Sequence, residues 1–331
     1  MDIRFVSTDI KFRILITGGA GYIGSVLVGR LLDKGHYVTV IDNLIYNQTS
    51  LFSYASNKNF DFIYLDVEND WKRFTRIIEY GGYDFIIPLA AIVGAPACDR
   101  NKLLATSVNS GQIDLIVNAI KSKELNSRVL YPNTNSGYGT GKQTETGELI
   151  ESVEEDELNP ISVYGKTKRD AEESVISLDD SIVFRLATVF GPSPRMRLDL
   201  MVNDFVWRAV KDGHIELYES DFHRNFVHID DVCRAFELAI EGLIPPGVYN
   251  LGIPNENYTK KELANLIKQC VDITIYENPV GEDPDKRNYI VSNKKILNTG
   301  FVFTKSVLDG ILELIKMYSM ISPLRGRFLN V

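Results

Sequence analysis

The sequence predicts an α/β fold, a doubly wound parallel sheet with a smaller mixed α/β lobe toward the C-terminus. Three observations predict it. Apolar runs of strand length alternate with amphipathic segments through the first half of the chain. The first of these runs ends in glycines spaced G-x-x-G-x-x-G, and the second ends in an aspartate.

The run Ile14-Leu15-Ile16-Thr17 leads directly into Gly18, Gly21 and Gly24, and an amphipathic segment with Val26, Leu27, Leu31 and Leu32 follows. Strand, tight turn and helix in that order aim a helix N-terminus at a phosphate. Glycines there permit a positive φ and let a pyrophosphate approach exposed N–H groups. This is a Rossmann-type arrangement, and it places Gly18, Gly21, Tyr22, Ile23 and Gly24 against a dinucleotide. Residues 36–41 read as the second strand, with Asp42 at its tip. An acid in that place accepts hydrogen bonds from an adenosine ribose and repels a 2′-phosphate. Asn43, Leu44 and Ile45 come next, with no Arg or Lys among them, so the cofactor is expected to be NAD, with Asn43 beside it.

Further strands are read at 60–65, 84–87, 128–131 and 182–186, with helices at 70–80, at about 103–121 and after Tyr164. From Gly191 the texture changes. Pro and Gly punctuate it, and short strands mix with helices at 199–212, 230–241, 259–270 and 305–319. The organisation expected is a peripheral extension at 1–11, an NAD-binding domain at 12–190, and a mainly substrate-binding lobe at 191–331.

The 331 residues suffice for a large core. A net charge of −8 and an isoelectric point near 5.2 argue against nucleic acid or an anionic membrane as partner. The longest uncharged apolar stretch, 85–98, is interrupted by Pro88, Gly94 and Pro96 and reads as a buried strand and loop rather than a membrane span. The N-terminus lacks a basic start and a long apolar region, so no signal peptide is read and a cytoplasmic location is expected. Cys98, Cys233 and Cys270 are far apart and read as buried free thiols. The four histidines form no pair at metal-ligand spacing, and no metal is expected.

Tyr164 and Lys168 stand at i and i+4, which on a helix stacks them one turn apart on one face. A cation fixed near a phenol favours phenolate, bringing a group of unperturbed pKa about 10 within reach as a general base. The spacing alone is weak, because with 16 tyrosines it should arise by chance roughly once. It occurs three times, at Tyr54, Tyr138 and Tyr164. The Tyr138 copy contains Gly139 and Gly141 and cannot hold a helical face. The Tyr54 copy precedes the third strand. Tyr164 alone follows a proline-bearing loop and opens a helical pattern with Ala171, Glu172, Val175 and Ile176.

Taken in order, the glycine motif, Asp42, Asp66-Val67 after the third strand, Leu89-Ala90-Ala91 after the fourth, Asn109, and Tyr164 with Lys168 resemble an extended short-chain dehydrogenase/reductase of the nucleotide-sugar epimerase and dehydratase kind. The resemblance spans nearly the whole chain. It implies that Asp66 and Val67 meet the adenine, that Leu89, Ala90 and Ala91 line the cofactor, and that Asn109 supports the proton relay. The family's Ser/Thr run ending in Tyr-Gly is matched by residues 132–139, with Thr134 in the place of the hydroxyl that orients the reacting sugar oxygen. Family dehydratases carry Asp and Glu in the next two places, where this chain has Asn135 and Ser136. Neither can serve as acid or base near neutral pH, so dehydration is disfavoured and both are read as substrate contacts. Arg224 and Arg287 match arginines that clamp a diphosphate, and Arg195 and Arg197 are further substrate candidates. The wording of 133–139 and 187–197 is closest to NAD-dependent dehydrogenases acting at C4 of GDP-linked heptoses for surface polysaccharides.

The reading is therefore an NAD-dependent enzyme that oxidises C4 of a nucleoside diphosphate sugar, GDP-heptose or GDP-manno-type favoured. Tyr164 acts as base, Lys168 as its electrostatic partner and Thr134 as orienting hydroxyl. A 4-epimerase of the UDP-glucose type is the alternative. A non-catalytic NAD-sensing protein would be expected to lose one of Thr134, Tyr164 and Lys168, and all three are present. A homodimer packed through the 103–121 helix and the Tyr164 helix is expected from the same resemblance.

Overall fold

The computed structural model describes residues 10–278 and 288–320. The first half runs β1 (Arg13–Thr17), α1 (Tyr22–Asp33), β2 (Tyr37–Asp42), β3 (Phe60–Tyr64), α2 (Trp71–Gly81), β4 (Phe85–Pro88), α3 (Ala95–Arg100), α4 (Lys102–Thr106), α5 (Gln112–Lys123) and β5 (Arg128–Thr134). A small hairpin, β6 (Lys142–Gln143) and β7 (Leu149–Ile150), precedes α6 (Val163–Ile176), β8 (Ile182–Leu186) and β9 (Thr188–Phe190). The remainder is α7 (Met201–Lys211), β10 (His214–Leu217), β11 (His223–His228), α8 (Ile229–Ile240), β12 (Gly247–Leu251), β13 (Asn257–Thr259), α9 (Lys260–Lys268), β14 (Thr274–Glu277), α10 (Lys294–Leu297) and α11 (Val307–Ser319).

Seven strands form one sheet in the order β12-β8-β5-β4-β1-β2-β3, and every neighbouring pair is parallel. Strand residues alternate between two apolar cores, as a sheet buried on both faces requires. Ile14, Ile16, Val38, Val40, Phe85 and Ile87 face a core shared with Leu27 and Leu31 of α1 and Phe236 of α8. Leu15, Ile41, Ile86 and Val129 face the other, with Phe74 of α2, Ile116 of α5 and Ala171 of α6. The strand order reverses between β1 and β4, and at such a switch point the carboxyl ends of the strands open into a crevice.

Two expectations change. The single helix read at 103–121 is α4 and α5 joined by one wide π turn at Ser107–Gly111. Asn109 sits on that turn and bonds to the chain after β4, which the 3.6-residue period of the apolar positions does not reveal. The segment after 190 is not one contiguous lobe, because α8 packs on α1 and β12 returns to the main sheet as its seventh strand. Apolar residues on both faces of 247–251 make that return favourable. The smaller sheets β9-β11-β13 and β10-β14 build the rest of the lobe. Residues 1–9 of the N-terminal extension and Arg287 lie outside the described residues.

Cys98 and Cys233 are buried thiols, whereas Cys270, just past the end of α9, is partly exposed. Among the described residues no helix is long and apolar enough to cross a membrane. His228, Asp230 and Glu313 bring their ligand atoms within 4.8 Å of one another, a grouping with no signature in sequence spacing. The Nδ1 of His228 accepts from the Asp230 amide, so the ring proton is on Nε2, 3.2 Å from Glu313, whose other oxygen meets Lys305. That is a compact polar cluster where β11 packs against α11.

Candidate active site

A cleft of about 1330 Å³ opens over the switch point, walled by the ends of the parallel strands and by the C-terminal lobe. Gly18, Gly21, Tyr22, Ile23 and Gly24 form one wall. Gly18 has φ +66°, and a Cβ there would come within 2.5 Å of the Ala90 amide, so glycine is required for the turn and for contact with the loop after β4. At Gly24 a Cβ would meet the backbone of Gly19 at 2.6 Å, so this glycine lets α1 start directly against the turn. No side chain caps the N-terminus of α1 and no acid lies in its first turn. Its free N–H groups and positive dipole end suit a pyrophosphate.

Asp42 closes β2 and accepts from the amides of Ala20 at 3.0 Å and Leu44 at 2.8 Å. Burial pushes its carboxyl pKa up, and those amide bonds oppose the rise. Asp66 lies just past the end of the neighbouring strand β3 and is joined to Asn43 at 3.0 Å. Burial raises the Asp66 pKa, but the Asn43 amide and the backbone of Asn69 and Glu68 outweigh it, leaving a carboxylate held low. Val67, Leu89, Ala90 and Ala91 line the same wall. Tyr22 lines it too, but its hydroxyl donates to Gly191 O at 2.7 Å and accepts from Asn203 at 3.1 Å, so the phenol ties α1 to the second half.

Ser162 caps α6 through the Gly165 amide at 3.1 Å. That start places Tyr164 in the first turn with Lys168 one turn on, and both line the cleft. Thr134, at the end of β5, lines it as well. Its hydroxyl donates to Ser136 at 2.9 Å and accepts the Ser136 amide at 3.1 Å, which holds it in place. The Lys168 ammonium donates to Pro132 O at 2.5 Å and lies 4.0 Å from the centre of the Tyr131 ring. Burial pushes its pKa down to about 7, and Glu172 works against the fall.

Two residues read as contacts stand back from the cleft. Asn109 is buried. Its amide donates to Ile92 O at 3.0 Å and Thr167 at 3.1 Å and accepts from the Ile92 amide, pinning the loop after β4 to α6. Asn135 is fully buried, does not line the cleft, and neither atom of its amide has a hydrogen-bond partner. Ser136 does reach the cleft. Among the arginines, Arg195, Arg197 and Arg224 converge on it from the second half. Arg195 lies 5.0 Å from the Tyr46 ring centre, Arg197 pairs with Asp199 at 2.5 Å, and Arg224 is buried with a bond to His223 O at 2.9 Å.

Residues 14–252 match the model of the NAD dependent epimerase/dehydratase family. The chain belongs to this family. It is 29% identical over 341 aligned positions to UDP-glucuronic acid decarboxylase 1 of Arabidopsis thaliana, covering 97% of this chain and 71% of that protein. The same-named protein of Xenopus tropicalis is 27% identical, over 89% of this chain and 69% of its own length. The UDP-glucose 4-epimerase of Thermotoga maritima, solved with UDP-glucose, superposes with a TM-score of 0.80 at 24% identity, covering 93% of this chain and 98% of that one.

The family enzyme thus uses NAD, and the residues here fit it: the glycine cradle, the open helix end and Asp42 without a basic neighbour. Sequence reasoning missed three residues that support the site. Gln112 bonds to Thr17 and to Ala90 O, fixing the loop after β4, and nothing in its helical context marks it. Glu172 and Arg185 form a buried ion pair at 2.6 Å behind α6. Glu172 does carry a signal, since it follows Lys168 by a further four residues on the same helical stripe.

Proposed function

We propose that this enzyme oxidises the C4 hydroxyl of a nucleoside diphosphate sugar. The observation that carries the reading is the convergence of Thr134, Tyr164 and Lys168 on the cleft that also holds the glycine turn and Asp42. Tyr164 takes the C4 hydroxyl proton as the C4–H bond breaks, and a ketone remains. NAD supplies the hydride acceptor. Thr134 holds the C4 oxygen by a hydrogen bond, and the Lys168 ammonium lowers the cost of the tyrosinate. Arg224 and Arg195, which line the cleft, are proposed to grip the diphosphate, and Arg287 is proposed as a further one from its sequence alone.

The sequence favoured a GDP-linked heptose or manno-type sugar. Relatives named for UDP-glucuronic acid and dTDP-D-glucose favour a pyrimidine nucleotide instead, and UDP sugars enter the test first. With UDP-glucuronic acid the 4-ketone is a β-keto acid, which loses carbon dioxide readily, so one oxidation step serves decarboxylation as well. Dehydration is not proposed, because positions 135 and 136 hold neither acid nor base. The reading includes a homodimer through α4, α5 and α6. Ile113, Ile116 and Ile120 are already buried within one chain, and Leu103 is 85% exposed. Light scattering that gives a monomer at micromolar concentration rejects the dimer.

The experiment is a panel of UDP-glucose, UDP-glucuronic acid, dTDP-glucose and GDP-mannose with the NAD-loaded protein. Absorbance of reduced nicotinamide and product structure by NMR are followed together. Released ketone with stoichiometric NADH marks a dehydrogenase, inverted C4 with no net NADH an epimerase, and a pentose a decarboxylase. Turnover that survives in Tyr164→Phe overturns the assignment of the base.

A further inference from the structure

Tyr164, Lys168 and Glu172 fall at i, i+4 and i+8 of α6, on one stripe of the helix. The first two line the cleft and the third lies behind it, 4% exposed. A carboxylate in such a place is costly unless it has partners, and Glu172 has two. Arg185 of β8 meets both oxygens, its Nε at 3.2 Å from each and its Nη2 at 2.6 Å from Oε1. Asn133 of β5 donates to Oε2, and the other atom of the Asn133 amide accepts the backbone N–H of Thr134 at 2.8 Å. Arg185 is itself anchored, donating to the Tyr138 hydroxyl at 2.8 Å and Glu154 O at 3.0 Å.

From this arrangement we infer that Glu172 is a positioning residue, the buried counter-charge that keeps Lys168 an ammonium while its bond to Asn133 ties the same carboxylate to the strand end bearing Thr134. The inference rests on the reading of Tyr164 and Lys168 as the proton-handling pair and goes beyond it in assigning what maintains the lysine charge. The groups around Lys168 leave that task to Glu172. From α6 itself there are Tyr164 and Glu172. From β5 there are the Tyr131 ring and Pro132 O, neither of them charged. From β8 there is Arg185, a cation already held by Glu172. Cys98 of α3 is turned to Ile92 O, and Asp114 of α5 to Ser174 two residues beyond Glu172. Burial drives Lys168 toward neutrality, and Glu172 is the group that opposes it. A neutral amine would no longer favour the phenolate of Tyr164.

The test follows the ionisation of Lys168 directly, without a sugar. The full chain is labelled with [ε-13C]lysine, at equal NAD occupancy in every variant, and titrated by NMR. The Lys168 resonance is assigned by its absence in Lys168→Met. Glu172→Gln should move the Lys168 midpoint down by about one pH unit. Glu172→Asp should restore most of the shift. Because Glu172→Gln leaves Arg185 buried without its acid, the double variant Glu172→Gln with Arg185→Met removes the pair together, and its midpoint should still lie below wild type but fall less than in the single variant, since a like charge is removed as well. A role confined to packing moves stability and leaves the midpoint where it is. A wild-type midpoint in both the single and the double variant overturns the inference. A sugar panel that yields no product counts against the proposed function and leaves the midpoint to decide this point.

Discussion

Lys168 allows a stability measurement whose sign follows from its burial. Its side chain is 5% exposed, and burial places its pKa at about 7 against the ordinary 10.5. Between those two values the unfolded chain holds a proton that the folded chain has shed, so stability rises with pH through that window. Below pH 7 both states are protonated and the cost of burying the ammonium is present in full. At about 1.4 kcal/mol for each pH unit the ceiling is about 5 kcal/mol. The side chain borders a cleft that water enters, which brings the expected effect to about 2–3 kcal/mol. Lys168→Met removes the titrating group while keeping most of the volume. Urea unfolding of wild type and variant, both freed of nucleotide, gives the stability difference at several pH values. Wild type minus variant should rise by that amount between pH 6 and pH 10.5, and groups common to both proteins cancel. A difference that stays level within about 0.5 kcal/mol across the range refutes the buried-lysine account.

The other predictions address the cofactor wall, the base and the buried amide. Gly18→Ala puts a methyl within 2.5 Å of the Ala90 backbone at a positive φ, and a loss of about 2–5 kcal/mol with abolished NAD binding is expected by calorimetry and thermal unfolding. NAD should bind far more tightly than NADP, because Asp42 lines the cleft in the place proposed for the ribose and residues 43–45 contain no cation; equal affinities in calorimetry would reject that role for Asp42. Tyr164→Phe should fold and bind NAD while turnover falls at least about 10²–10⁴-fold, read with whichever sugar of the panel wild type converts. Asn135→Leu removes a buried amide with no partner, so stability should hold or improve by about 1–3 kcal/mol; a raised sugar KM at unchanged stability would return Asn135 to the substrate site.

What the sequence made legible, and what it did not, divides along the range of the interactions. The glycine turn, Asp42 and the Tyr164–Lys168 pair are local patterns whose geometry follows from a strand end or a single helical turn, and all of them line one cleft. The break at Ser107–Gly111 is invisible to periodicity, because Val108 within it and Ile113 and Ile116 after it still pack into one core. It depends on Asn109 reaching Ile92, seventeen residues back. The return of β12 to the main sheet is a pairing of residue 247 with residue 182, a partner that neither segment alone specifies. Asn135 shows the opposite failure. A motif column places it beside Thr134 and suggests a shared face, yet the short 3₁₀ turn at Asn135–Tyr138 swings its side chain into the interior while Ser136 keeps the cleft. Glu172 lies between these cases. Its stripe with Tyr164 and Lys168 is readable, but its meaning depends on Arg185 and Asn133, which come from two other strands. Candidate catalytic groups on one turn of helix can be read from the chain. The partners that hold the buried carboxylate behind them come from two strands, and a sequence conceals them for that reason.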